Sequence, residues 1–268
     1  MRRSFLFFTF IFLINSTLFA QIFRFGVPNL EADDMARFRF GFSLGIDIVD
    51  ANIKTLDNYK YPKNISPEYE VLEIFSTPTP AFNVGIVANM RMGDYFDLRF
   101  IPAFSIAHDI NLNYQFAVPI RDPNPRSPGD KTLILRKIQG HYINLPLFIK
   151  FKSSRMHNVR IYAMGGGQIG INVMPETIIS YDHYAKADVI PIIKPVDIQA
   201  KGGFGFDFYT TFFKLSTEFK ISFGVINMLQ DPELIKNQDQ VDYYRNSPII
   251  QGIQSLKSKT FTISIIIE

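Results

Sequence analysis

Residues Thr79–Ser105 read TPAFNVGIVANMRMGDYFDLRFIPAFS, and their pattern decides the fold. In the first half Phe82, Val84, Ile86, Ala88 and Met90 share one parity. Asn83, Gly85, Asn89 and Arg91 share the other, with Val87 as the exception. In the second half Phe96, Leu98, Phe100 and Phe104 oppose Asp97, Arg99 and Ser105. Period-two alternation marks strands, whose successive side chains leave opposite faces. Gly93-Asp94 supplies turn chemistry within Met92–Tyr95. The product is a hairpin with one apolar and one charged face. Its strands exceed the roughly five or six residues usual in soluble sheets. Such an apolar face is covered either by a protein core or by lipid.

The 268 residues allow one large β domain or two small ones. Aromatic content is 27 Phe and 12 Tyr with no Trp, and net charge is +3. No basic run or RNA-binding signature accompanies that charge, so nucleic acid is not an expected partner. The absence of Cys excludes a disulfide framework, a thiolate metal site and a lipid anchor on Cys. Residues 1–20 read as a signal peptide: Arg2-Arg3, an apolar run over Phe5–Ile14, then Ala20 before Gln21. No later stretch is long enough for a spanning helix, so a second encounter with a bilayer requires a β-barrel.

Residues 21–37 read as a periplasmic lead-in and 38–268 as the barrel. Strands are expected at Phe38–Ile48, in both halves of the hairpin, and within Ile138–Phe151, Val159–Gly167, Ile198–Tyr209, Phe213–Val225 and Thr260–Glu268. Val49–Pro78, Ile106–Lys137, Gly170–Asp197 and Ile226–Ser258 read as long polar connections, with Asp231-Pro232-Glu233 as a helix start in the last. The fold class is thus all-β, an eight-stranded antiparallel up-and-down transmembrane barrel. Four long extracellular loops alternate with three short periplasmic turns, the asymmetry of bacterial outer-membrane barrels.

The charged parity holds Arg39, Asp47, Arg91, Asp97, Arg99, Lys150, Arg160, Lys201, Asp207, Lys214, Glu218 and Lys220. These are expected to form an ion-pair and hydrogen-bond network inside the barrel. The lipid-facing set includes Phe40, Phe42, Phe82, Ile86, Phe100, Leu147, Phe206, Phe219, Phe223 and Ile263. Tyr95, Phe96, Phe151, Tyr209, Phe212 and Phe213 crowd the short turns and are expected to form a periplasmic aromatic girdle. A soluble barrel would reverse these faces, but a small interior has little room for so many phenyl rings.

Gly165-Gly166-Gly167 lacks the Lys-Ser/Thr of a phosphate loop, and the dinucleotide fingerprint is absent. His108, His141, His157 and His183 show no metal spacing, so no cofactor or metal is expected. Ser105, His108 and His141 are the components available to an outer-membrane lipid hydrolase, without an orienting third group. The long loops carry Tyr59, Tyr61, Tyr69, Tyr114, Tyr181, Tyr184, Tyr243 and Tyr244, suited to protein contact.

Thr77–Ser105, Gly203–Tyr209 (GFGFDFY), Lys214–Gly224 (KLSTEFKISFG) and Ser255–Glu268 (SLKSKTFTISIIIE) together resemble the PorT (SprT) family. That family comprises outer-membrane barrels of the type IX secretion and gliding-motility system. The first segment is the most specific. The resemblance implies a non-enzymatic role in exporting proteins with C-terminal sorting domains, no catalytic residues, and other secretion-system subunits as partners beside outer-membrane lipid. No small-molecule substrate is expected. A lipid-modifying hydrolase and a structural or adhesive OmpA-like barrel are the alternatives. Glu268 stands where such barrels commonly place an aromatic.

Overall fold

The computed structural model describes residues 29–30, 36–56, 70–121, 130–173, 193–230 and 252–268. The signal peptide, most of the lead-in, the expected helix start at Asp231, His183 and the loop tyrosines other than Tyr114 lie outside them. The strands are β1 (Phe38–Thr55), β2 (Val71–Thr77), β3 (Thr79–Arg91), β4 (Phe96–Phe100), β5 (Ala103–Ile106), β6 (Ile110–Arg121), β7 (Asp130–Ile138), β8 (Tyr142–Lys152), β9 (Val159–Asn172), β10 (Val196–Tyr209), β11 (Lys214–Gly224) and β12 (Ile253–Ile267).

Nine of them form one antiparallel sheet in the order β1-β12-β11-β10-β9-β8-β4-β3-β5. Its ends meet, because β1 also pairs with β3 from Phe38↔Met90 to Val49↔Thr79. β4 and β5 share both neighbours, β3 and β8, and form one stave broken at Ile101-Pro102. Pro102 lacks an N–H, yet its carbonyl accepts from Ile86 N at 3.0 Å, so the ladder continues across the break. The sheet is therefore a closed ring of eight staves. Closure leaves no unpaired edge around the ring, the condition for placing a sheet in lipid.

Residues 92–95, 153–158 and 210–213 connect staves at one end, and the longer connections lie at the other. Two of the long connections are not simple loops, contrary to the sequence reading. β1 continues through Thr55, and β2, β6 and β7 form a second sheet in the order β2-β6-β7. β2 prolongs β3 across Pro78, and β6 prolongs β5 across Ala107–Asp109, where Ala107 takes φ 57°. That left-handed value is costly for a residue with a Cβ and marks a forced bend. Ile110, Leu112, Tyr114 and Phe116 alternate as a strand should, but Pro119 and the prolines after it dominate the sequence pattern. The ladder slips where Pro119 falls, between Gln115 and Ile120. β12 likewise begins at Ile253, inside an expected connection.

The second sheet turns its apolar side toward the mouth of the ring. Val71, Ile74, Ile110, Leu112, Tyr114 and Phe116 pack with Val49, Ala51, Ala81, Ile253 and Leu256, all on the inward parity of the staves or at their ends. Burying a residue such as Leu256 contributes about 1.5–3 kcal/mol. At the opposite end Asn29 docks on the short turns. Its N–H donates to Asn158 Oδ1 at 2.9 Å, its Nδ2 to Tyr209 O at 3.2 Å, and Arg155 donates to its carbonyl.

The outward face is apolar over a constant height. On β1, Phe38, Phe40, Phe42, Leu44, Ile46 and Ile48 are all exposed. At about 3.4 Å per residue and a tilt near 40°, that run projects to ~25 Å, the height of an outer-membrane apolar band.

Gly205 faces inward, and a Cβ there would lie 2.6 Å from the Tyr162 ring and 2.7 Å from Thr217 O. Gly93 in the tight turn has nothing within 4 Å. Gly205→Val is expected to abolish the compact, heat-modifiable band of the folded barrel in cold SDS gels. Gly93→Ala is expected to retain it.

Candidate functional site

The distinctive chemistry lies inside the ring, in the half nearer the short turns. Arg99 on β4 has a fully buried side chain. It bonds Glu218 through Nη1, Glu268 Oε2 through Nη2 at 2.8 Å, and Asn89 Oδ1 through Nε at 3.2 Å. Glu218 also accepts from the Tyr162 hydroxyl at 2.8 Å and from Lys220 Nζ at 2.7 Å. Lys214 Nζ lies 2.6 Å from Glu268 Oε2. Asp97 accepts from Arg39 at 3.0 Å, Asn89 at 2.9 Å and Lys152 at 2.6 Å. Asp207 accepts from Lys150 at 2.8 Å and Ser216 at 2.6 Å. The Lys150 ammonium also sits 3.4 Å from the Tyr162 ring centroid, a cation–π contact.

Except for Lys220 and Glu218, both on β11, the partners lie on different staves, so the network ties the ring across its own interior. The apolar exceptions to the inward pattern have a place as well. Val87 and Ile266 join Ile101, Phe148, Tyr162 and Met164 in a small apolar cluster within the polar interior.

Nearer the mouth the interior turns from ion pairs to amides and hydroxyls. Asp47 accepts from Thr262 at 2.6 Å, and Lys201 donates to Gln168 at 3.0 Å. Gln168 donates to Asn144, and Asn144 to Ser105 at 2.7 Å. A cavity of about 30 Å³ lies among Asp47, Asn83, Ser105, Asn144, Lys201 and Lys220. That is room for about two waters.

Of the expected interior set, Arg39, Asp97, Arg99, Lys150, Asp207, Lys214, Glu218 and Lys220 meet in ion pairs. Asp47 and Lys201 line the cavity. Arg160 lies over the Tyr209 ring at 5.6 Å. Arg91 is the departure: it pairs with Asp94 at 2.5 Å in the turn, with its side chain partly exposed. Lys152, Tyr162, Asn89 and Glu268 are members the sequence reading left out. Lys152 lies one residue past the expected strand end at Phe151, although it continues the inward parity of Lys150. Glu268 follows the inward parity of Thr260, Thr262 and Ser264, which was the available signal.

Phe40, Phe42, Phe82, Ile86, Phe100, Leu147, Phe223 and Ile263 are exposed on the outer face, with Phe206 and Phe219 half-buried there. Tyr95, Phe96, Phe151, Phe212 and Phe213 are exposed near the short turns. Tyr209 does not join them. It is 1% exposed and packs inward, with the Arg155 guanidinium 3.8 Å from its ring. Its place beside Asp207 on the inward parity explains the difference.

The hydrolase components are not arranged as nucleophile and base. Ser105 is bonded by Asn144, His108 packs on Tyr142 at 4.9 Å between centroids, and His141 stacks with Phe104. Among the described residues neither imidazole bonds Ser105, and no group of His, Asp and Glu could hold a metal.

A closed ring, an outward apolar band and an inward ionic network call for comparison with known barrels. A family model described as an outer membrane protein beta-barrel domain matches residues 19–230. The chain belongs to that family. It is an integral outer-membrane protein. Among solved structures it is similar to OprG from Pseudomonas aeruginosa at 12% identity, covering 87% of this chain and 94% of OprG with a TM-score of 0.43. Neisserial surface protein A matches at 9% identity over 86% and 97% of the two chains, TM-score 0.39. Ail of Yersinia pestis, solved with the heparin analogue sucrose octasulfate, matches at 9% identity over 87% and 99%, TM-score 0.35. No curated protein matches the chain.

Arg99→Met would strand Glu218 and Glu268 without their shared cation. A cost of about 3–5 kcal/mol is expected, read as a lower urea midpoint in detergent or vesicles. Glu268→Gln should cost less, because Glu218 still holds Arg99.

His108 lies between β5 and β6, outside the ring staves. Burial holds its imidazole below the ordinary value, outweighing attraction from Asp47 and Asp197 on neighbouring elements and from Asp109 next to it in the chain, while Lys201 adds to the depression. The unfolded chain then binds a proton that the folded one refuses, so stability falls as pH drops through and below the ordinary imidazole range. Limited proteolysis of the second sheet should accelerate from pH 7.5 to pH 5, and His108→Gln should flatten that dependence.

Proposed function

We propose that this protein is a non-enzymatic accessory or assembly subunit of the type IX secretion system, required for export and for the associated gliding motility. It acts through its surfaces and not as a conduit. The observation that carries the second point is the filled interior. Ion pairs occupy the half near the short turns, and the apolar core of the second sheet occupies the mouth. The first point rests on the resemblance of Thr77–Ser105 and the three later segments to the PorT family.

In this reading the long connections and the second sheet face outward from the cell, and the short turns face the periplasm. The docking of Asn29 on the short-turn end supports that orientation, because an exported chain would enter the barrel from the periplasm. The surfaces at either end would then meet other secretion subunits.

Deleting the gene should stop secretion of proteins with C-terminal sorting domains and stop gliding, while uptake of small hydrophilic solutes stays unchanged. Complementation with the full chain should restore both. Normal secretion in the deletion strain would refute the assignment.

A further inference from the structure

Beyond the rim of the ring, β1 and β12 run on together. β3 last pairs with β1 at Val49↔Thr79, and β11 last pairs with β12 at Phe223↔Lys259. From there Asp50↔Lys259, Asn52↔Lys257 and Lys54↔Ser255 continue as a two-stranded ribbon. Its inward side chains, Ala51, Ile53, Ile253 and Leu256, pack into the core shared with β2 and β6. Packing therefore holds the ribbon in place and fixes which face looks outward.

The outward column prolongs the apolar band. On β1 it runs Ile46, Ile48, Asp50, Asn52, Lys54, and on β12 Ile263, Phe261, Lys259, Lys257, Ser255. Both strands change from hydrocarbon to ionic or amide chemistry at one register step, from Ile48↔Phe261 to Asp50↔Lys259. Lys54 and Lys259 are exposed and Lys257 is half-buried. Among the described residues none of the three makes an ion pair. Asp50 is the carboxylate directly opposed to Lys259, and its Oδ1 accepts the N–H of Ala51 at 2.8 Å. The patch thus sets three ammonium groups against one carboxylate.

We propose that Lys54, Lys257 and Lys259 bind the phosphates of an outer-leaflet glycolipid whose acyl chains lie on the apolar band below. Position selects this ligand. The lysines stand on the lipid-contacting face, a few residues beyond its last apolar pair, where headgroup phosphates meet acyl chains. Lysine stems lie along apolar surface while the ammonium reaches the polar layer. A soluble anion would have no use for the band beneath. The proposal rests on the outward orientation of the long-connection end.

The test uses the full chain, refolded in detergent, with two probes: lipid A carrying its phosphates and the same lipid dephosphorylated. Native mass spectrometry reads the bound lipid. Wild type should retain the phosphorylated probe. A K54Q/K257Q/K259Q variant should keep the heat-modifiable fold and lose about fivefold in affinity per lysine, roughly a hundredfold in all. Equal retention by the variant, or equal binding of the dephosphorylated probe by wild type, overturns the proposal. Displacement of the lipid by millimolar inorganic phosphate also overturns it, in favour of a soluble-anion site. Because the chain has no Cys, Asn52→Cys supplies a single thiol for orientation. Labelling by an impermeant maleimide on intact cells supports the outward reading. Absence of labelling, with binding retained in detergent, overturns the outer-leaflet assignment and leaves the type IX reading to its own deletion test.

Discussion

Arg99 has no route to water. Its guanidinium is enclosed with Glu218 and Glu268, and that enclosure follows from closing a sheet on itself in hydrocarbon. The outer face must be apolar, so the charged side chains within the height of the apolar band are turned toward one narrow interior. There a charge is tolerable only beside its opposite, because a lone buried charge is far more costly than a pair. The alternation of the staves, the positions of the acids and bases, and the gap at Gly205 for the Tyr162 ring all serve that single requirement. Tyr162 in turn bonds Glu218 and faces Lys150, so a bulky aromatic serves the ionic network as a linker.

The interior is graded along its axis. Direct ion pairs dominate near the short turns. Amides and hydroxyls, with Asp47 and Lys201 spaced apart, fill the middle. Aliphatic and aromatic side chains fill the mouth. The second sheet makes that last layer possible, since the inward residues Val49, Ala51 and Leu256 would otherwise meet solvent. The same sheet gives the β1–β12 ribbon a wall to lean on. A loop-rich mouth would leave those strands free to fray.

The ring was legible in the sequence because the staves alternate along their membrane-spanning length with few exceptions, Val87 and Ile266 among them, and Phe38–Ile48 and Thr79–Ser105 leave no competing period. The second sheet was not. Its strands are short, its prolines resemble those of a loop, and its apolar residues number only a few per strand, so composition outweighed parity. The interior network was legible as a set but not as a pairing. Parity places Arg99 and Glu218 on one face, yet their meeting depends on the register across several intervening staves, which no single strand encodes. Tyr209 was misplaced because an aromatic beside a turn suits an interfacial belt as well as an inward site, and only the parity of Asp207 discriminates. The proposed type IX role rests on resemblance alone, which neither parity nor register can express.

Glu268 couples the charge balance of the network to the closure of the ring. It belongs to the last stave in chain order, while the groups it neutralises, Arg99 and Lys214, belong to staves that precede it. A nascent cylinder lacking only that stave would hold these two cations with one anion missing and a seam open on both flanks. Electrical balance and geometric closure thus rest on the same stave, which acts as counter-ion and clasp at once.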